Sequence, residues 1–213
     1  VAKQGFEMSK IKYFIEQSWL LIAASFCFGL LIAVTNAALL PMVQENKAAK
    51  LHKLTVDLLR EAKRFVEVDA EIEVKLAGGK KEKVKVYKAL SDAGECVGWS
   101  FNAGGQGFAD KIELVVAVDK NFEKIAGFNV LVSNETPGFG DRIKSSNFRD
   151  QFAGAPAEKL TLVKTGDPQK IDSEIVSITG ATVSSETVIR IINTFLIQIK
   201  EHIQQKELVG NGK

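Results

Sequence analysis

From Gln17 to Gln44 the chain carries no charged residue, and Trp19 through Leu40 is nearly all apolar or small. A helix crosses the hydrocarbon core of a bilayer with about 20 apolar residues, each rising about 1.5 Å, so this run is long enough to span. A cleaved secretory signal has a shorter apolar core. Ala37-Ala38 offers small residues for cleavage, but the stretch ahead of it is too long for such a core. The run reads as an uncleaved transmembrane helix over residues 17–41, behind an N-terminal tail of residues 1–16. Trp19 suits the headgroup region, and Asn36 is better placed against a protein neighbour than against lipid. Lys3, Lys10 and Lys12 precede the span, offset by Glu7 and Glu16, while Lys47, Lys50 and Lys53 follow it. The positive-charge bias that orients a helix is therefore close to a tie.

With 213 residues, the chain has room for one further domain of ordinary size. The formal net charge of +2 gives no case for binding nucleic acid. Cys27 falls in the span and Cys96 in the domain, so they are not expected to pair, and neither sits in a metal-spaced cluster. With His52 and His202 the only histidines, a zinc or iron–sulfur site within this chain is not expected.

After the span, Pro41 marks a break. Glu45–Val66 then resumes helical periodicity, with Leu51, Leu54, Leu58, Ala62 and Phe65 at three- and four-residue steps. Residues 42–68 thus read as an amphipathic linker helix, and residues 69–207 as the domain. Glu71–Leu76 and Lys83–Tyr87 alternate apolar with charged residues around Gly78-Gly79, a hairpin whose wet face carries Lys80, Lys81, Lys83 and Lys85. Cys96–Phe101, Ile112–Val118 and Ile125–Val132 read as three antiparallel strands, separated by a glycine-rich turn at 104–107 and by Asp119–Glu123. Those glycines form no dinucleotide fingerprint, because no GxGxxG follows a strand and opens a helix. Ser145–Phe152 suggests a short helix, Leu160–Val163 a short strand and Ile175–Ile178 an extended stretch. Val188, Ile191, Ile192, Phe195, Ile199 and Ile203 define the buried stripe of a last helix, and residues 208–213 read as a disordered tail. The fold class expected is α+β: one transmembrane helix, then a mainly antiparallel sheet with flanking helices.

The chemistry concentrates at Thr179-Gly180-Ala181-Thr182, followed by Val183-Ser184-Ser185 and the last helix. Free N–H groups and the positive end of a helix dipole make such a point a seat for phosphate, and small residues allow close approach. Two readings stand: a phosphate-bearing ligand, or a Ser/Thr cap that needs none.

This stretch resembles the (S/T)GAT attachment motif of the membrane-bound FMN-binding domain family. Upstream, Glu135-Thr136-Pro137-Gly138-Phe139-Gly140-Asp141 resembles that family's ETPG(L/F)G segment, about forty residues before TGAT. Gly98-Trp99, leading through Gly104, Gly105 and Gly107 into Ile112–Val118, is a weaker third match. Order and spacing behind a single span resemble the members that serve as the G subunit of Rnf electron-transport complexes. The C subunit of the sodium-pumping NADH:quinone reductase is the nearest related type, and the compact length favours the former. One departure is visible: the family motif often opens with Asp six residues before the attachment Thr, where this chain has Val176.

The resemblance implies FMN attached covalently through a phosphoester to Thr182, made by a separate flavin transferase. Thr182 is then an acceptor, and no base is paired with it as a hydrolase would need. Thr136 to Gly140 would lie against the isoalloxazine, with Pro137 stiffening the loop and Gly138 and Gly140 permitting close approach. Phe139 would either cover a ring face or be a core residue. Glu135 and Thr136 would hydrogen-bond the ring's polar edge or cap the turn, while Asp141 and Arg142 would pair on the surface. The implied function is electron transfer through FMN in a redox-driven ion-pumping membrane complex. Its implied partners are other membrane and iron–sulfur subunits and the lipid bilayer, with the domain on the extracytoplasmic side of the inner membrane. A membrane-anchored flavin or ligand sensor, and a structural subunit without covalent flavin, are the alternatives.

Overall fold

The computed structural model describes residues 2–68, 72–76 and 78–205. The chain divides into two units, Val1–Ala48 and Ala49–Lys213. The tail expected to be disordered, 208–213, lies outside the described residues.

Helix α1, Ala2–Leu58, supplies all of the first unit that is described. From Glu16 onward it is long and apolar enough to cross a membrane, reaching a mean hydropathy of 2.1. Apolar side chains such as Leu21, Phe26 and Ile32 are exposed. The break expected at Pro41 does not occur, and the helix runs through it. Proline removes one N–H and crowds one carbonyl. Abandoning the helix within an apolar run would leave many more backbone groups unpaired.

In the second unit, the last turns of α1 pack on a sheet. The helix expected to reach Val66 ends at Leu58, and Arg64–Glu67 is instead strand β1. Phe65 and Val66 fit either period. Pairing decides, because Lys63 N–H bonds the Leu90 carbonyl at 2.8 Å and Arg64–Glu67 runs antiparallel to Tyr87–Leu90. The next strands are β2 Ile72–Lys75, β3 Lys81–Val84, β4 Val86–Leu90, β5 Cys96–Gln106, β6 Lys111–Asp119 and β7 Ile125–Val132. The main sheet is antiparallel throughout, in the order β1-β4-β5-β6-β7. Strands β2 and β3 form a separate hairpin turned by Gly78 and Gly79, with Lys81, Lys83 and Lys85 on its exposed face. A parallel pair, β8 Thr161–Val163 and β9 Glu174–Val176, leads to helix α3, Thr182–Gln205. Between β7 and β8 lie two 3-10 turns, Gly140–Lys144 and Asp150–Phe152, flanking the single-turn helix α2, Ser146–Arg149.

The two sheet faces are built differently. On one, Val188, Ile191, Ile192, Phe195, Ile199 and Ile203 of α3 are buried in a core with Trp99, Phe101 and Phe128. Gln198 fastens the helix to β2, accepting from Lys75 N–H at 2.8 Å and donating to its carbonyl at 3.0 Å. On the other, small residues Ala89 and Ala117 meet Leu59 and Ala62. Asn129 donates to the Leu54 carbonyl at 3.1 Å and accepts from Arg149.

Strand β5 runs five residues past its expected end at Phe101, so Gly104 and Gly105 are strand, not turn. A side chain at Gly105 would place its Cβ 2.8 Å from Ile191, so the glycine lets α3 close on the sheet.

Candidate functional site

Three connections meet at one end of the domain. The first, joining β5 to β6, is Gly107-Phe108-Ala109-Asp110, closed by Gly107 N–H to the Asp110 carbonyl at 2.9 Å. The Asp110 carboxylate accepts from Asn134 Nδ2 and from Lys111 N–H, both at 2.7 Å. The Asn134 contact first, and then the backbone one, hold its carboxyl below the usual aspartate range.

The second follows β7. Thr136-Pro137-Gly138-Phe139 is a turn closed by Phe139 N–H to the Thr136 carbonyl at 3.2 Å, with Gly138 at φ +78. Proline and then a positive-φ glycine at the two centre positions is the arrangement of a type II turn. The third, Ile178-Thr179-Gly180-Ala181, closes the same way: Ala181 N–H to the Ile178 carbonyl at 2.9 Å, with Gly180 at φ +81. The α3 helix then starts at Thr182. Ala181, the residue before it, has no side-chain acceptor with which to cap the helix. Thr182 is exposed, and among the described residues no hydrogen bond engages its hydroxyl.

These connections enclose a cavity of about 510 Å³, within the range of small-molecule sites, roughly 300–1,000 Å³. Gly180, Ala181, Thr182, Val183 and Ser184 form one wall, and Glu135, Thr136, Phe139 and Gly140 another. Thr179, Pro137, Gly138 and Ser185 do not line it. Pro137 and Gly138 shape their turn. The Ser185 hydroxyl, buried, donates to the Ala181 carbonyl at 2.9 Å and accepts from Ile178 N–H at 3.1 Å, stapling the third turn. The Thr179 carbonyl accepts from Arg142 at 3.1 Å, so Arg142 joins the second and third segments and does not make the surface pair expected with Asp141.

Phe139 is 59% exposed, which excludes the core role. Phe108, which sequence reasoning passed over as the tail of a glycine-rich turn, is 70% exposed and lines the same cavity. An aromatic set beside glycine at the tip of a strand connection was the signal available. Glu135 is nearly buried. Its Oε1 accepts from Ala109 N–H at 3.0 Å, and its Oε2 from the Ser184 hydroxyl. Val176 does not line the cavity. It is half-buried on β9, its N–H and carbonyl bonded to the Gln151 amide at 2.8 and 3.3 Å. Among the described residues no cluster of three His, Cys, Asp or Glu could hold a metal.

An open cavity bounded by two exposed phenylalanines, uncapped helix N–H groups and a free threonine hydroxyl suits a flat aromatic ligand that carries phosphate. Comparisons with known proteins agree. Residues 107–197 match the FMN-binding domain family, a range that includes every residue lining the cavity. The chain is 28% identical to the G subunit of the ion-translocating oxidoreductase complex of Methanosarcina acetivorans, over 74% of this chain and 84% of that one. It is 28% identical to the G subunit of the proton-translocating ferredoxin:NAD(+) oxidoreductase complex of Clostridium ljungdahlii, over 88% and 89%. Among solved structures, NqrC of Shewanella oneidensis shares the fold with a TM-score of 0.55 at 20% identity, covering 68% of this chain and 73% of that one. Residues 107–197 thus match an FMN-binding domain, and over most of its length the chain is similar to G subunits of ion-translocating oxidoreductase complexes.

Proposed function

We propose that this chain is a membrane-anchored electron carrier of an Rnf-type ion-translocating complex, holding FMN through a phosphoester to Thr182. The observation that carries this reading is the exposed Thr182 hydroxyl, without a hydrogen bond among the described residues, at the mouth of α3 in the cavity shared with Glu135, Thr136, Phe139 and Gly140. Bound FMN would supply reversible electron transfer. The residues of the chain hold and orient. Thr182 Oγ would hold the group: a separate flavin transferase would move the flavin phosphoryl from a phosphoanhydride donor to this oxygen, which loses its proton as the donor's other phosphate leaves. The first N–H groups of α3 would hold the remaining phosphate charge. Phe108 and Phe139 would cover the flat ring system, and the small residues Gly140, Gly180 and Ala181 would let the backbone come close.

The apolar stretch of α1 anchors the chain as a single span, with the domain on the extracytoplasmic side, where a tethered cofactor cannot diffuse away. Electrons arrive from and leave to other members of the complex, including iron–sulfur proteins. A reductive titration of the purified full chain tests the carrier role. Reversible bleaching and recovery of a protein-bound flavin band is expected. A chain that binds flavin but cannot be reduced and reoxidised would point to the sensor reading instead.

A further inference from the structure

Glu135 was expected to meet the flavin ring or cap its turn, but its two oxygens are engaged elsewhere. It follows β7 and is 4% exposed, yet it lines the cavity, and among the described residues no cation is paired with it. Oε1 takes the Ala109 N–H, in the turn that carries Phe108. Oε2 takes the Ser184 hydroxyl, in the first turn of α3 that carries Thr182. Two glycines make room for it. A Cβ on Gly107 would stand 2.4 Å from Oε1, and one on Gly140 2.7 Å from both Oε2 and Ser184 Oγ. A buried carboxylate accepting one backbone and one hydroxyl donor is tolerated because both its oxygens are satisfied. An apolar residue in its place would leave Ala109 N–H and Ser184 O–H unpaired.

We propose that Glu135 is a positioning residue that acts through Ala109 and Ser184, locking the Phe108 turn and the Thr182 turn of α3 into one frame around the cavity. The frame exists without the cofactor, and its consequence for the flavin rests on the reading above.

The test uses the full chain in lipid nanodiscs, expressed with a flavin transferase, as wild type, Glu135→Ala, Glu135→Gln and Ser184→Ala. Amide hydrogen exchange at residues 107–110 and 181–185 reports the frame with or without flavin. Visible circular dichroism and the midpoint potential report its effect on bound flavin. Glu135→Ala is expected to speed Ala109 exchange by about tenfold, the scale of one lost hydrogen bond, and to change the flavin dichroism and potential. Glu135→Gln keeps a carbonyl acceptor for Ala109 and an amide for Ser184, and is expected to restore all three towards wild type. Ser184→Ala cuts one arm only and decides the matter if Glu135→Ala does not fold. Faster exchange at 181–185 with altered flavin dichroism supports the frame, and wild-type behaviour in both overturns it. Unchanged Ala109 exchange in a folded Glu135→Ala, or Glu135→Gln as impaired as Glu135→Ala, also overturns it. A wild-type protein without flavin contradicts the covalent reading, while the exchange comparison still decides this inference.

Discussion

The Ser184 hydroxyl donates a hydrogen bond to Glu135 Oε2 across 49 residues of sequence, and Gly140 leaves just enough room for the contact. Both residues are buried, so each depends on the other. Ser184→Ala is expected to lower stability by about 1–3 kcal/mol, the penalty for stranding a buried polar partner. Gly140→Ala is expected to do the same by overpacking, about 1–3 kcal/mol, because its Cβ would stand 2.7 Å from both groups. Denaturant unfolding of the two variants checks this. A change within ~0.5 kcal/mol in both, as is usual for surface substitutions, would contradict it.

Phe108 and Phe139 separate binding from folding. Both are exposed, so Phe108→Ala and Phe139→Ala are each expected to leave stability within about 0.5 kcal/mol. Each is expected to raise flavin emission quenching by an aqueous quencher, since one face of the ring loses its cover. Quenching equal to wild type in both variants would remove the phenylalanines from the site.

Gly180 adopts φ +81, where an L side chain is strained by about 1–2 kcal/mol. Its Cβ would meet Phe139 only at 3.6 Å, so space is not the obstacle. Gly180→Ala is expected to destabilise the domain by that amount and to lower the fraction of protein that carries flavin. Melting and absorbance ratios measure both.

The Asp110 carboxyl is held low by Asn134 and by Lys111 N–H. A carboxyl lowered in the folded state contributes stability above its unfolded value and loses it as pH falls through the folded one. The Phe108 turn is therefore expected to loosen only below the usual aspartate range. Asn134→Ala is expected to move that transition to higher pH, as followed by the NMR titration of Asp110. An unchanged titration would mean the Asn134 contact does not set it.

The side of the membrane is open to chemical labelling. Lys80→Cys, on the exposed hairpin turn, is expected to react with a membrane-impermeant maleimide in intact spheroplasts. Protection until lysis would place the domain in the cytoplasm.

Much of the fold was legible in the sequence, for identifiable reasons. The stripe from Val188 to Ile203 has a single period and no competitor, and the structure buries all six residues. Phe65 and Val66 fit both helix and strand, and only the Leu90 edge, remote in sequence, settles the choice. Gly104 and Gly105 looked like a turn because glycine is permissive, whereas the room at Gly105 serves to admit Ile191. The meeting of Glu135–Gly140 with Thr182 came from family resemblance, since spacing alone cannot bring two loops together. Phe108 was missed because its one local signal, an aromatic beside glycine at a strand connection, does not by itself tell a cavity wall from a turn residue. The Glu135–Ser184 contact was out of reach because it is a tertiary relationship.

Covalent flavin at Thr182 is the central claim of the proposed function. The full-length protein, expressed with a flavin transferase and denatured on a gel, is inspected for flavin fluorescence, and its Thr182 peptide is weighed by mass spectrometry. A fluorescent band, with FMN less one water on that peptide and both signals absent in Thr182→Ala, is the result expected. A dark band with an unmodified Thr182 peptide would contradict the claim and leave a non-covalent binder or a structural component of the complex.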